Sequence, residues 1–71
     1  MPERLANRLK ERRGELGLTQ AELAEACGVT RKTVNTVENG VFVPSALLAL
    51  KLARALNMAP GGLFWIEAEP D

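Results

Sequence analysis

Apolar residues recur at helical intervals along most of the chain. Leu5, Leu9 and Leu16 share one stripe, with Arg13 in step, and predict a first helix over residues 2–16. Pro2 suits its first turn, Gly14 weakens it by ~1 kcal/mol relative to Ala, and Gly17 closes it. Thr19 and Glu22 have capping-box spacing and open a second helix over 20–27, with Leu23 and Ala24 facing inward. Gly28 supplies a left-handed turn. Thr30 then caps a third helix over 31–39, with Val34 and Val37 inward and Asn39-Gly40 as its stop. Val41-Phe42-Val43 runs into Pro44 and reads as a loop. Ser45 caps a fourth helix over 46–57, whose inner face carries Leu48, Ala49, Leu52, Ala53 and Leu56. Pro60 opens a short fifth helix ending near Phe64, and residues 65–71 follow as a short tail. The pattern predicts an all-α fold of five helices.

Length and composition narrow this picture. The chain has 71 residues, too few for two globular domains. Residues 1–66 are expected to form one domain and 67–71 an acidic tail. With 46% apolar residues a packed core is expected rather than disorder. There is no His and a single Cys, Cys27, so no disulfide, zinc pair or His-based catalytic group is expected. One Ser, one Asp and no Tyr leave few parts for an enzyme. No metal, cofactor or catalytic site is expected. No uncharged run reaches membrane-spanning length and no signal-peptide stretch is seen, so the expected compartment is the cytoplasm, with no membrane partner. Net charge is +0, but all nine basic residues and six Glu precede position 67, leaving that stretch at +3. This balance permits an anionic partner without demanding one.

Residues 19–39 carry the functional signal. They read cap, short helix, Gly turn, cap, short helix, with small Ala24 where the two helices meet and Val29 plugging the turn. That is the layout of a DNA-binding helix-turn-helix. On a helical wheel of the third helix, Val37 and Glu38 fall beside Val34, whereas Lys32, Asn35, Thr36 and Asn39 fall on the opposite side and can all donate hydrogen bonds. Arg31 stands at the N-terminus, where a recognition helix approaches base edges. Arg31 or Lys32 can donate to guanine O6/N7, and Asn35 can pair with adenine N6/N7. Arg31, Lys32, Asn35 and Thr36 are the expected base contacts.

The residues that fill this layout resemble a known family. Leu16-Gly17-Leu18-Thr19-Gln20-Ala21-Glu22-Leu23-Ala24 resembles the opening of the XRE-type (phage repressor/Cro-like) helix-turn-helix family. Gly28-Val29-Thr30-Arg31-Lys32-Thr33-Val34-Asn35 is similar to its turn and recognition helix, and Val37-Glu38-Asn39-Gly40 to its stop. Pro44-Ser45, Leu52-Ala53, Leu56 and Leu63-Phe64 are similar to its last two helices, so the likeness spans about residues 8 to 64. It implies a lambda-repressor-like fold and a sequence-specific transcriptional regulator, with repressor the expected sense. It also implies that Gln20, first in the second helix, meets a DNA phosphate. Thr19, Thr30 and Asn39 are further candidate phosphate contacts, each with a capping role beside it.

Arg13 and Glu38 lie on facing apolar stripes and suggest a partly buried ion pair, which the family often shows; its role would be structural. Cys27 is expected to be a small buried apolar residue. Leu47 and Leu50 point away from the inner face of the fourth helix, and Phe42, Val43, Trp65 and Ile66 add further apolar surface. Either some of these fold back over the first helix or they form a homodimer seam. The seam is the expectation, because family members commonly read two half-sites about one helical turn apart. A second reading is an antitoxin-like or adaptor module on the same fold, which would take a protein partner.

Overall fold

The computed structural model describes residues 2–70. The chain runs β1 (Glu3–Asn7), α1 (Leu9–Glu15), α2 (Gln20–Cys27), α3 (Arg31–Glu38), α4 (Ala46–Ala55), α5 (Pro60–Leu63) and β2 (Phe64–Ala68). Five helices are present as expected, but the fold is not purely α. β1 and β2 form a two-stranded antiparallel sheet, with Leu5 opposite Ile66 and Ala6 opposite Trp65.

This sheet corrects both ends of the sequence reading. Residues 3–7 are a strand, not the first turns of a helix. The Leu5-to-Leu9 interval suits a helix, but a run this short is not decided by its period, and pairing with a strand some sixty positions away settles it. Pro2 precedes the ladder and its carbonyl accepts the Glu69 N–H at 2.9 Å, a strand-end place that a residue without an N–H can fill. Asn7 makes the switch from strand to helix: its Oδ1 accepts the Leu9 N–H and its Nδ2 donates to the Val37 carbonyl, both at 3.0 Å. Phe64 to Ala68, expected as the last helical residue and a tail, are β2. Of the expected acidic tail, Glu67 and Ala68 belong to that strand and Asp71 lies outside the described residues.

Helix limits elsewhere fall within two residues of those read from the pattern. Thr19, Thr30 and Ser45 each accept an N–H from the third helical residue, and Glu22 returns the bond to the Thr19 N–H. Four helix ends close alike. Gly17, Gly28, Gly40 and Asn57 take positive φ, and each is followed by a residue whose N–H reaches back five positions: Leu18 to Arg13, Val29 to Ala24, Val41 to Thr36 and Met58 to Ala53. Leu16 sits beyond the end of α1 and is exposed, so the inward stripe stops at Arg13.

The core gathers Leu9 from α1, Leu23, Ala24 and Cys27 from α2, Val34 and Val37 from α3, Leu52, Ala53 and Leu56 around α4, and Leu63 and Phe64 at the α5–β2 junction. α2 packs against both α3 and α4. Cys27 is buried, and removal from water raises its thiol pKa above the ordinary value. Arg12 Nε donates to the Leu56 carbonyl at 3.0 Å, fastening α1 to the end of α4 and placing a cation at that helix's negative pole. None of the described helices is long and apolar enough to cross a membrane.

Candidate nucleic-acid interface

The amphipathic pattern of α3 becomes a two-sided element in three dimensions. Val34 and Val37 are buried, while Arg31, Lys32, Asn35 and Asn39 are exposed and Thr36 is half-buried. The expected base-reading residues thus share the outer side, and among the described residues neither Arg31 nor Lys32 enters an ion pair. Gln20, at the start of α2, joins them: Gln20, Arg31, Lys32 and Asn35 line one shallow hollow of about 450 Å³. A second hollow of about 470 Å³ runs past Arg31 to Thr19, Gln20 and the α1–α2 turn.

The expected phosphate contacts are spread around this face. Thr19 and Thr30 spend an oxygen lone pair on their helix caps. Each keeps a hydroxyl hydrogen, although Thr30 Oγ1 also lies 3.1 Å from Thr33 Oγ1. Asn39 lies at the other end of α3 and donates to the Asn35 carbonyl at 2.9 Å. Thr36 directs its hydroxyl to the Thr33 carbonyl at 3.0 Å, leaving its oxygen as an acceptor.

Behind the exposed face stands the ion pair. Arg13 Nε and one Nη donate to Glu38 Oε2 and Oε1 at 2.8 and 3.2 Å, and the other Nη donates to the Leu18 carbonyl at 2.8 Å. The Glu38 side chain is 3% exposed and the Arg13 side chain 15%. The hydrogen-bonded carboxylate raises the Arg13 pKa, against the opposing effect of burial. Arg13 and Glu38 therefore join α1, the α1–α2 turn and α3 at one point.

Three features escaped the sequence reading. Gln20 Nε2 donates to Glu38 Oε1 at 3.1 Å, which depends on the angle between α2 and α3 and has no local signal. Val41 and Phe42 fold back onto α3, both N–H groups reaching the Thr36 carbonyl, and share a hollow with Lys32, Thr33 and Thr36. Their apolar character was legible but not their place beside α3. The last concerns the apolar surface. Phe42, Val43, Leu47, Leu50, Trp65 and Ile66 are all exposed. Ile66, Phe42 and Val43 line one hollow of about 460 Å³. Trp65 is next to Ile66 in a strand, so its side chain stands on the other face of the sheet, where the register sets it opposite Ala6. A single flat seam through Phe42, Val43 and Ile66 leaves Trp65 out.

Comparison with known proteins agrees with this geometry. A helix-turn-helix family model matches residues 9–63. An HTH-type transcriptional regulator of Bacillus subtilis, YgzD, is 46% identical over 65 residues, covering 92% of this chain and 98% of the relative. The restriction-modification controller protein C.AhdI of Aeromonas hydrophila superposes with a TM-score of 0.76 at 44% identity, over 80% of this chain and 86% of its own. The P22 c2 repressor, solved in complex with a synthetic operator, superposes with a TM-score of 0.74 at 30% identity, over 76% and 82%. The chain belongs to the XRE-type, phage-repressor-like family of DNA-binding helix-turn-helix transcriptional regulators.

Proposed function

We propose that this protein is a sequence-specific repressor that lays α3 in the major groove of duplex DNA. Arg31, Lys32, Asn35 and Thr36 face base edges, and Thr19, Gln20 and Thr30 hold the flanking phosphates; the expected contact at Asn39 gives way to its bonds to Asn35. The carrying observation is the division of α3: its valines are buried, and its cations and Asn35 are exposed around the same hollow as Gln20. Arg and Asn side chains match guanine and adenine edges respectively, and a good bidentate contact is worth ~1–3 kcal/mol of discrimination. The neutral donors carry no sequence information and fix register. The P22 c2 repressor, a structural neighbour solved in complex with a synthetic operator, supports duplex DNA as the ligand.

Two copies bind together, joined over Phe42, Val43, Leu47, Leu50 and Ile66, whose exposure on so small a domain favours a partner of the same kind. Such a dimer reads two half-sites about one helical turn apart. Selection of bound sequences from random duplex DNA tests the reading. The expected product is a two-fold symmetric motif in which Arg31→Ala erases one position per half-site and Gln20→Ala weakens every sequence. An unenriched pool would overturn base readout. Sedimentation as a strict monomer at high micromolar concentration would overturn the seam.

A further inference from the structure

We infer that Glu38, which faces the interior rather than DNA, is a specificity-determining positioning residue: its carboxylate fixes which way round the Gln20 and Asn35 amides sit. The inference rests on the DNA reading above and assigns a role that an ion pair alone does not have.

The observation is a one-way chain of hydrogen bonds. Gln20 Nε2 donates to Glu38 Oε1 at 3.1 Å, Asn35 Nδ2 donates to Gln20 Oε1 at 3.5 Å, and Asn39 Nδ2 donates to Asn35 Oδ1 at 3.3 Å. A side-chain amide has a donor end and an acceptor end of nearly equal shape, so its orientation is set by its partners. An ionised carboxylate only accepts. With Glu38 buried and held by Arg13, the Gln20 nitrogen must face it and the Gln20 oxygen must face Asn35. That oxygen in turn draws the Asn35 nitrogen, and Asn39 fills one lone pair of the Asn35 oxygen. What Asn35 has left is one N–H and one lone pair in a set order. This is the donor–acceptor pair that complements adenine N7 and N6. Reversing Asn35 would set like ends against each other at two contacts. Without the carboxylate at the head of the chain, both directions become available and the outward pattern is no longer unique.

The test uses the full chain and random duplex DNA, with Asn35→Ala identifying the motif position that Asn35 reads. The wild type is expected to prefer one base there by about 5- to 150-fold. Glu38→Gln, which can donate or accept, is expected to bring that preference below about threefold while the Arg31 position keeps its base. Circular dichroism melts show whether Glu38→Gln folds. Gln20→Met, at the surface end of α2, cuts the chain at its second link and gives the answer if it does not. Gln20→Met is expected to flatten the Asn35 position in addition to lowering affinity overall. If the folded variants keep the full base preference at that position, Glu38 is structural only; the inference is overturned and the DNA reading stands. If the wild type selects no motif, or Asn35→Ala alters none of its positions, the reading and the inference fall together.

Discussion

Arg13 and Glu38, 25 positions apart, meet edge to edge: Nε reaches Oε2 at 2.8 Å and Nη reaches Oε1 at 3.2 Å. Nearly all of the Glu38 side chain is out of water, so either residue without the other leaves an unpaired charge against the core. Loss of one partner from a buried pair costs ~3–5 kcal/mol, and the low end applies here because Arg13 keeps some solvent contact. Arg13→Met and Glu38→Leu are each expected to lower stability by about 3 kcal/mol, and the double variant to recover most of it. Urea unfolding of all four proteins closes the cycle. Singles as harmless as the double would remove the ion pair as a structural element.

Gly28 sits at φ 70° in the turn between α2 and α3, and a Cβ added there meets nothing within 4 Å. A substitution therefore pays only for the left-handed backbone. Gly28→Ala is expected to cost about 1–2 kcal/mol. Thermal unfolding measures it. A much larger loss would mean that the turn also depends on close packing.

Local signals made most of the fold legible. Thr19, Thr30 and Ser45 announce helix starts because a cap and the N–H groups it serves lie within four residues. Gly17, Gly28 and Gly40 announce ends because few residues adopt positive φ without strain. The outer face of α3 was legible because Val34 and Val37 fix the inner one. The sheet was not, since Leu5 keeps step with Leu9 and neither five-residue strand is defined without the other. The Gln20–Glu38 and Arg12–Leu56 bonds were hidden for the same reason: they depend on how helices cross, not on spacing within one. Asn7 gave no strong signal, yet one side chain both starts α1 and ties it to α3.

The sheet has a parity that can be checked. Arg8 N–H donates to the Leu63 carbonyl and Glu69 N–H to the Pro2 carbonyl. Alternation along an antiparallel ladder then makes Arg4–Glu67 and Ala6–Trp65 the hydrogen-bonded pairs, while the Ala68 N–H points outward. Glu67→Pro removes a ladder bond and Ala68→Pro does not. The first is expected to cost about 1 kcal/mol more than the second. Glu67→Ala serves as control for the exposed Arg4–Glu67 contact at 3.6 Å. A larger loss from Ala68→Pro than from Glu67→Pro would show a register shifted by one.

The Glu22 carboxyl accepts the Thr19 N–H at 2.9 Å, and that bond, followed by the Thr19 hydroxyl, holds its pKa below the usual carboxylate value. A lowered folded-state pKa means stability that is complete above the unfolded value of about 4.3 and lost as pH falls through the folded one. Glu22→Gln keeps a capping oxygen but no titrating proton. Its stability is expected to fall less steeply than that of the wild type below about pH 5, in urea melts stepped towards pH 3. Superimposable acid limbs would place the Glu22 side chain outside the cap.

The charge pattern bounds how the complex responds to salt. Residues 19–40 hold two cations, Arg31 and Lys32, against Glu22, Glu25 and Glu38, and the expected phosphate contacts Thr19, Gln20, Thr30 and Asn39 are neutral. Only cationic contacts release condensed counterions, and each lowers the slope of log K against log salt by about 0.9. Four such cations in a dimer, were all of them on phosphates, set a slope near −3.6 as the steepest these residues can give. Arg31 and Lys32 facing bases make it shallower. Fluorescence anisotropy on the selected site between about 50 and 200 mM salt reads the slope directly. A value implying ten phosphates would mean that cations outside α2 and α3, such as Lys10 or Lys51, carry the binding.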